Sequence, residues 1–363
     1  MLRSPLTRLV SAVTVAGALC AAGAGAASAA PAVPWSGPGR PVPGALTNDS
    51  PALSTITFPN PIGQGVLVAW RGRGVAGHVF YKYRTNARAR WSRTGVLSGA
   101  LTSSAPAIAA YTDPLGRGAV LLVWAGHADK HIWYSQGETR RNGTIGWTKP
   151  AFLPKSIAFS STFNAPAVFF PDHSDVVMVA WRGPFNHVRY SVGVPRGRGF
   201  GWAQSAVVPG LPPSPTSVHC TIAPCTSATP AITERTTSTS TGRIVVFWKQ
   251  LGTRDVFDSS TSDGHGTNWR HLSWTGPAQV PGAATLTAPA ASVPTLDGIG
   301  PLLLAYKAPL STRVRYQTLT GATWSTVATI PATRTAVAPA LLRNLLATTT
   351  PGTIGNIVLH VYS

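Results

Sequence analysis

Six prolines constrain this chain more than any other feature. Pro51, Pro106, Pro166, Pro230, Pro289 and Pro339 each open a Pro-Ala pair, in "SPALSTI", "APAIAAY", "APAVFFP", "TPAITER", "APAASVP" and "APALLRN". They stand 55, 60, 64, 59 and 50 residues apart. Self-similarity at such a period marks an array of equal supersecondary units. Each unit repeats one internal order. An apolar run ends in an aromatic residue: "VLVAW" at Trp70, "VLLVW" at Trp124, "VMVAW" at Trp181, "IVVFW" at Trp248, "LLLAY" at Tyr306. After a short turn come "HVFYKY", "HIWYSQ", "HVRYSV", "DVFDSS" and "RVRYQT". A polar loop then leads to Trp91, Trp147, Trp202, Trp269 or Trp324, each read as the start of a fourth strand.

Four short strands per unit at this period predict propeller blades. Composition agrees: 36 Gly, 32 Pro and only 11% charged residues favour strands and turns over helices. The two ends supply a closure test. "PWSGPGRPVPGAL" from Pro34 matches the outer-strand segment "RWSRTGVLSGAL" from Arg90. The last unit stops after "IVLHVY" with its third strand unaccounted for. The expectation is an all-β, six-bladed β-propeller of four-stranded antiparallel blades, closed by an N-terminal strand that completes the last blade. Closure removes sheet edges that would otherwise pair with other chains. Blade starts fall near residues 50, 105, 165, 229, 288 and 338, within one domain spanning 31–363.

Residues 1–30 read as a secretory signal peptide: Arg3 and Arg8, a short apolar run, then "ASAA" with an A-x-A ending at Ala29. The run is too short and too rich in Ala and Gly for a spanning helix. The expectation is a secreted, extracellular protein with no membrane span. In that compartment Cys220 and Cys225, in "HCTIAPC", read as a disulfide. A zinc site wants about four ligands, and only His219 joins the pair. No metal and no cofactor are expected.

The net charge of +19 suits attraction to an anionic surface such as wall polymer or acidic polysaccharide, with no specific nucleic acid implied. Arg84, Arg88, Arg90, Arg93, Arg140, Arg141, Arg196 and Arg198 fall in turns between third and fourth strands, on one face. His78, His131 and His187, with Arg71 and Arg182 in "WRG", fall on the opposite face. Aromatics with His and Arg suit sugars, whose apolar faces stack on rings while hydroxyls take hydrogen bonds. The candidate ligand-binding residues are therefore Trp70, Arg71, His78, Trp124, His131, Trp181, Arg182 and His187. The same tryptophans also suit packing between blades, and each His also suits a turn cap.

The unit Pro-Ala, apolar strand, aromatic, Arg-Gly, "hVxY", Trp resembles the blade of bacterial propeller lectins that bind fucose and related sugars. More loosely it resembles tachylectin-like and sialidase-like propellers. The lectin resemblance implies a non-catalytic glycan-binding protein with sites recurring blade by blade. The sialidase resemblance implies an Asp-box, and "TSDGHGTNW" from Thr261 through Asp263 to Trp269 is one residue too long for it. Glycosidases need two converging carboxylates. The chain past residue 30 has two glutamates: Glu138 in the basic loop "GETRRNG", and Glu234 after "TPAIT" on a predicted inner strand. Glu234 is the one weak catalytic candidate. The leading expectation is a lectin-like protein binding glycans, with anionic glycans and cell-wall polymers among its ligands. The alternatives are a divergent sialidase-like glycoside hydrolase and a basic extracellular scaffold.

Overall fold

A computed structural model describes residues 35–362, apart from 74–76, 87–88, 114, 155–161, 163, 172–174, 197–198, 210–225, 238–239, 262–271, 295–299 and 353–354. The signal-peptide segment, Cys220 and Cys225, Arg88, Arg198 and most of the Asp-box-like stretch lie outside the described residues.

The described residues form six antiparallel sheets, with one 3-10 turn at Pro184–Asn186. In blade 1 the strands run Ala52–Phe58, Gly63–Arg71, Gly77–Arg84 and Gly95–Thr102, paired in chain order. Blade 4 repeats this with Ala231–Thr237, Ser240–Lys249, Asp255–Ser260 and Ala278–Ala284. Inner strands of successive blades touch, and the inner strand of blade 6 (Ala340–Leu342) touches that of blade 1, so the ring is closed. Strands reverse at every step. The turns from second to third strand and the links between blades therefore share one face, here the upper. The other turns share the lower face.

The apolar runs are continuous rather than alternating because both faces of a blade lie in a seam. Val68, Ala69, Trp70, Leu121, Leu122, Val123, Trp124, Val179, Ala180 and Trp181 are all buried. Six separate apolar cores result, one for each seam between neighbouring blades.

Two details of the sequence reading are corrected. The last blade lacks nothing: "IVLHVY" lies in its third strand, Gly355–Tyr362, and its second is Leu345–Thr349. That second strand was hidden because it ends in Thr rather than an aromatic. Trp35–Thr47 pairs with Gly355–Tyr362 and supplies the fourth strand, as the closure argument requires. The second correction concerns the outer strands, which do not begin uniformly at the tryptophan. In blade 1 the strand begins at Gly95, beyond Trp91. In blades 2, 3 and 5 it is broken into two pieces, as with Ile145–Trp147 and Ala151–Phe152. The register of the outer pair also shifts at equivalent places, between Pro41 and Leu46 and between His78 and Phe80. Gly44 and Gly99 sit there with φ of 67° and 75°, the left-handed residue a bulge needs.

Candidate functional site

The upper face is built on a corner that the Pro-Ala reading missed. Four residues before each repeated proline stands a threonine: Thr47, Thr102, Thr162, Thr226, Thr285 and Thr335. All six are buried. Each hydroxyl accepts the backbone N–H two residues on, from Asp49, Ser104, Asn164, Ala228, Thr287 and Val337, at 3.0–3.3 Å. The hydroxyl satisfies the backbone as the chain turns from one blade into the next, a local bond that Thr makes readily. The signal was present as Thr-x-x-x-Pro, six times.

Among the described residues, a cation at the end of the second strand, or in the turn after it for Lys130, braces this corner on four blades. Arg71 pairs with Asp49 at 2.8 Å, and Lys130 Nζ donates to Ser103 Oγ at 3.2 Å. Arg182 Nη1 donates to Asn164 Oδ1 at 3.4 Å, and Lys249 Nζ to Ser227 Oγ at 2.7 Å. Burial pulls the pKa of Arg182 and of Lys249 below its ordinary value. The corners surround an axial cavity of about 340 Å³ lined mainly by Ser, Thr, Asn and Ala.

The predicted ligand residues divide. Trp70, Trp124 and Trp181 are 2%, 1% and 0% exposed, so they are core residues in the seams and present no ring face to a ligand. Packing between blades, the other role their repeat suits, is the one their burial supports. Arg71 and Arg182 hold the corners, and Arg182 also donates Nε–H to Asn186 Oδ1 at 2.8 Å. The histidines stay at the upper rim, each beside a ring. His78 meets Phe80 edge-on at 6.4 Å, His131 stacks on Phe152 at 5.9 Å, and His187 lies 6.3 Å from Phe185.

Blade 2 gathers the densest group. In "HADKHIWY" the turn between second and third strands carries His127, Asp129, Lys130 and His131. Lys130 has φ 57°, the left-handed conformation that folds the turn back. Exposed Asp129 accepts Trp133 Nε1–H at 3.1 and 3.2 Å to its two oxygens, and also the His131 N–H at 3.1 Å. The indole is thereby fixed, and Phe152 from the outer strand stands edge-on to it at 5.2 Å. Nδ1 of His127 and of His131 are buried with no hydrogen-bond partner among the described residues. The sequence reading found His131 but not Asp129, Trp133 or Phe152. Phe152 joins only through pairing of the outer strand with the third strand.

Near the lower end of the axis a second cavity, about 200 Å³, is lined by Glu234, Arg343, Phe169 and Phe170 among others. Glu234 is 4% exposed. Its Oε1 is turned into its own hairpin: it fills the space a Cβ on Gly242 would need, and Thr236 Oγ1 donates to that oxygen at 3.5 Å. Glu138 lies 3.6 Å from Arg117, which also pairs with Asp113 at 2.7 Å. Among the described residues no group of His, Cys, Asp and Glu has the arrangement of a metal site. On the lower face Arg84 lies 5.2 Å from the centre of the Trp91 ring. Burial and then the nearby Arg40 charge depress its pKa.

No family model and no curated protein matches this sequence. Among solved structures the chain is similar to the NanB sialidase of Streptococcus pneumoniae, at 10% identity and TM-score 0.56, over 91% of this chain and 71% of that one. It is similar to a Penicillium chrysogenum alpha-L-arabinanase at 11% identity and TM-score 0.55, over 90% and 98%. It is also similar to the Aleuria aurantia lectin, solved with Fucalpha1-6GlcNAc, at 14% identity and TM-score 0.50, over 79% and 81%. At these identities the likeness shows the six-bladed fold.

Proposed function

We propose that this chain is a secreted, non-catalytic carbohydrate-recognition propeller, with a sugar-contact site at the upper rim of blade 2. The observation that carries the reading is Trp133, half-buried and oriented by Asp129 beside Phe152 and His131. An indole fixed in place is a stacking platform for a sugar's apolar face, and His and Asp beside it suit hydroxyls. The leader-like first thirty residues support export. The net charge of +19 supports anionic glycans or wall polymers as partners. The hydrolase alternative has less to stand on, because Glu234 is buried and its Oε1 faces its own hairpin at Gly242 and Thr236. The lectin-like propeller among the structural neighbours is consistent with the reading but does not carry it.

The test is a glycan array on the purified protein, followed by calorimetry with the best ligand. Trp133→Ala should weaken binding by about tenfold or more, the scale of one lost stacking contact with its burial. Asp129→Asn should weaken it less, since the amide oxygen can still accept from the indole. Unchanged binding in Trp133→Ala would refute the blade 2 site. Hydrolysis of any arrayed glycan that disappears in Glu234→Gln would install the enzyme reading instead.

A further inference from the structure

The upper rim of blades 4 and 5 carries a different kind of surface. The turn between the second and third strands of blade 5 is Ala308–Ser311, closed by Ser311 N–H donating to Ala308 O at 3.3 Å. Within it Leu310 has φ 54° and is 80% exposed. A left-handed conformation is costly for a residue with a branched side chain, and Gly or Asn is the ordinary choice. Here the strained position aims a leucine at water. Leu286, in the link entering the same blade, is a second exposed leucine on this face. Two blades away, Phe185 repeats the arrangement, with φ 59° and 68% exposure in a turn after Pro184. Strain at a turn that displays an apolar tip points toward use of the tip.

The surroundings are cationic. Arg313 and Arg334 are both exposed and stand directly opposite each other across the third and fourth strands of blade 5. Like charges in that register repel. Neither is in an ion pair among the described residues. Exposed Arg254, from the blade 4 turn, is joined to the same rim by Thr285 N–H donating to its carbonyl at 2.7 Å. Lys307, the last residue of the second strand, precedes the turn. Asp255, half-buried beside Arg254, is the carboxylate nearest in sequence to these cations.

We propose that this rim docks on an anionic lipid surface, with Leu310 and Leu286 entering the headgroup boundary and Arg254, Arg313 and Arg334 meeting the lipid phosphates. Single apolar tips set among arginines that have no ion-pair partner among the described residues fit a fluid anionic interface. A protein partner would need a contiguous packed patch. A soluble polyanion would satisfy the arginines and leave the leucines in water. Leucine offers no ring to stack on a sugar, so this surface is separate from the blade 2 site.

The experiment is cosedimentation of the purified protein with phosphatidylcholine vesicles, with and without phosphatidylglycerol. Wild type should bind only the vesicles containing phosphatidylglycerol. Leu310→Ser should lower the partition coefficient by about tenfold, the scale of one buried leucine. The Arg313→Gln, Arg334→Gln double variant should lower it by at least as much and weaken its salt dependence. Leu115→Ser, at an exposed leucine on the lower face, should change nothing. Leu310→Gly separates strain from contact: it should melt no lower than wild type and still lose binding. The proposal is overturned if wild type ignores phosphatidylglycerol, or if Leu310→Gly and Leu310→Ser bind like wild type. In the second case, displacement by inositol hexakisphosphate would reassign the rim to soluble polyanions.

Discussion

Four seams of the ring are closed by the same pair, and a fifth is not. A tyrosine on the third strand meets a tryptophan of the next blade: Tyr81 with Trp147 at 5.2 Å, Tyr134 with Trp202 at 5.6 Å, Tyr190 with Trp274 at 5.4 Å, Tyr316 with Trp35 at 6.2 Å. Between blades 4 and 5 the tyrosine position holds Asp258. The residue opposite each tyrosine on the second strand is small or β-branched: Ala69, Val123, Ala180 and Ala305. Opposite Asp258 it is Phe247, fully buried, and Phe247 is what meets Trp324, at 6.0 Å. The ring has moved one strand inward and the aspartate fills the place it left. A seam thus demands a given aromatic volume, and either strand can supply it. Close packing enforces the volume and not the address.

The two kinds of seam should respond differently to mutation and to pH. The largest effect is expected where the aromatic pair is whole. Trp202 is half-buried and touches both Tyr134 and Phe200, so Trp202→Ala should cost about 2 to 3 kcal/mol in urea unfolding. A cost below about 1 kcal/mol would show that the pair is not what closes the seam.

The Asp258 seam should instead be read out by pH. Burial pushes the Asp258 carboxyl up to about 6, and the Arg235 charge offsets only part of that. A carboxyl whose folded pKa lies above its unfolded value of 3.8 adds stability below that value and loses it as pH rises through about 6. The full loss is about 3 kcal/mol from the size of the shift, as an upper bound. His360 works against this, because its burial lowers its pKa: its contribution is present above 6.5 and lost as pH falls through the folded value. The clean measurement is therefore a difference. Asp258→Asn should match wild type near pH 4 and exceed it in stability at pH 7. Parallel curves across that range would mean that Asp258 is solvated.

The same contrast explains what could be read from the sequence. The fold was legible because its signals are local and repeated: Pro-Ala at the inner strand, an apolar run ending in an aromatic, a tyrosine two to four residues into the third strand. The last blade defeated that template where "LLATT" lacks the aromatic. Thr-x-x-x-Pro was equally regular but made of residues common throughout this chain, so its role emerged only from the buried hydroxyls. The site was less legible. Trp70, Trp124 and Trp181 share the repeat for packing, whereas Trp133 gains its setting from Asp129 four residues earlier and Phe152 on another strand. Glu234 is on an inner strand as expected, yet the direction of its carboxylate depends on Gly242, a neighbour across the hairpin. Periodicity reveals what every blade needs and is silent on what one blade does alone.

The smallest prediction sharpens the Asp258 comparison. Arg235 is at the end of the blade 4 inner strand, and its Nη2 donates to the Gly321 carbonyl of blade 5, so it bridges the odd seam. Burial depresses its pKa first, the Arg243 charge adds to that, and Asp258 draws it back up. The two groups therefore stabilise each other's charged forms. Replacing Arg235 with Met keeps the stem and removes the charge. The Asp258 midpoint, followed by NMR of the carboxyl carbon, should then rise by about half a unit, the scale of one charge interacting through a partly solvated path. Since the carboxyl would be protonated more readily, the stability gap between wild type and Asp258→Asn at pH 7 should be wider in the Arg235→Met background than in its absence. A midpoint that falls, or a gap that narrows, would mean that Arg235 acts through its bond to Gly321 and the geometry of the seam rather than through charge. An unmoved midpoint with an unchanged gap would place the two groups outside each other's electrostatic reach.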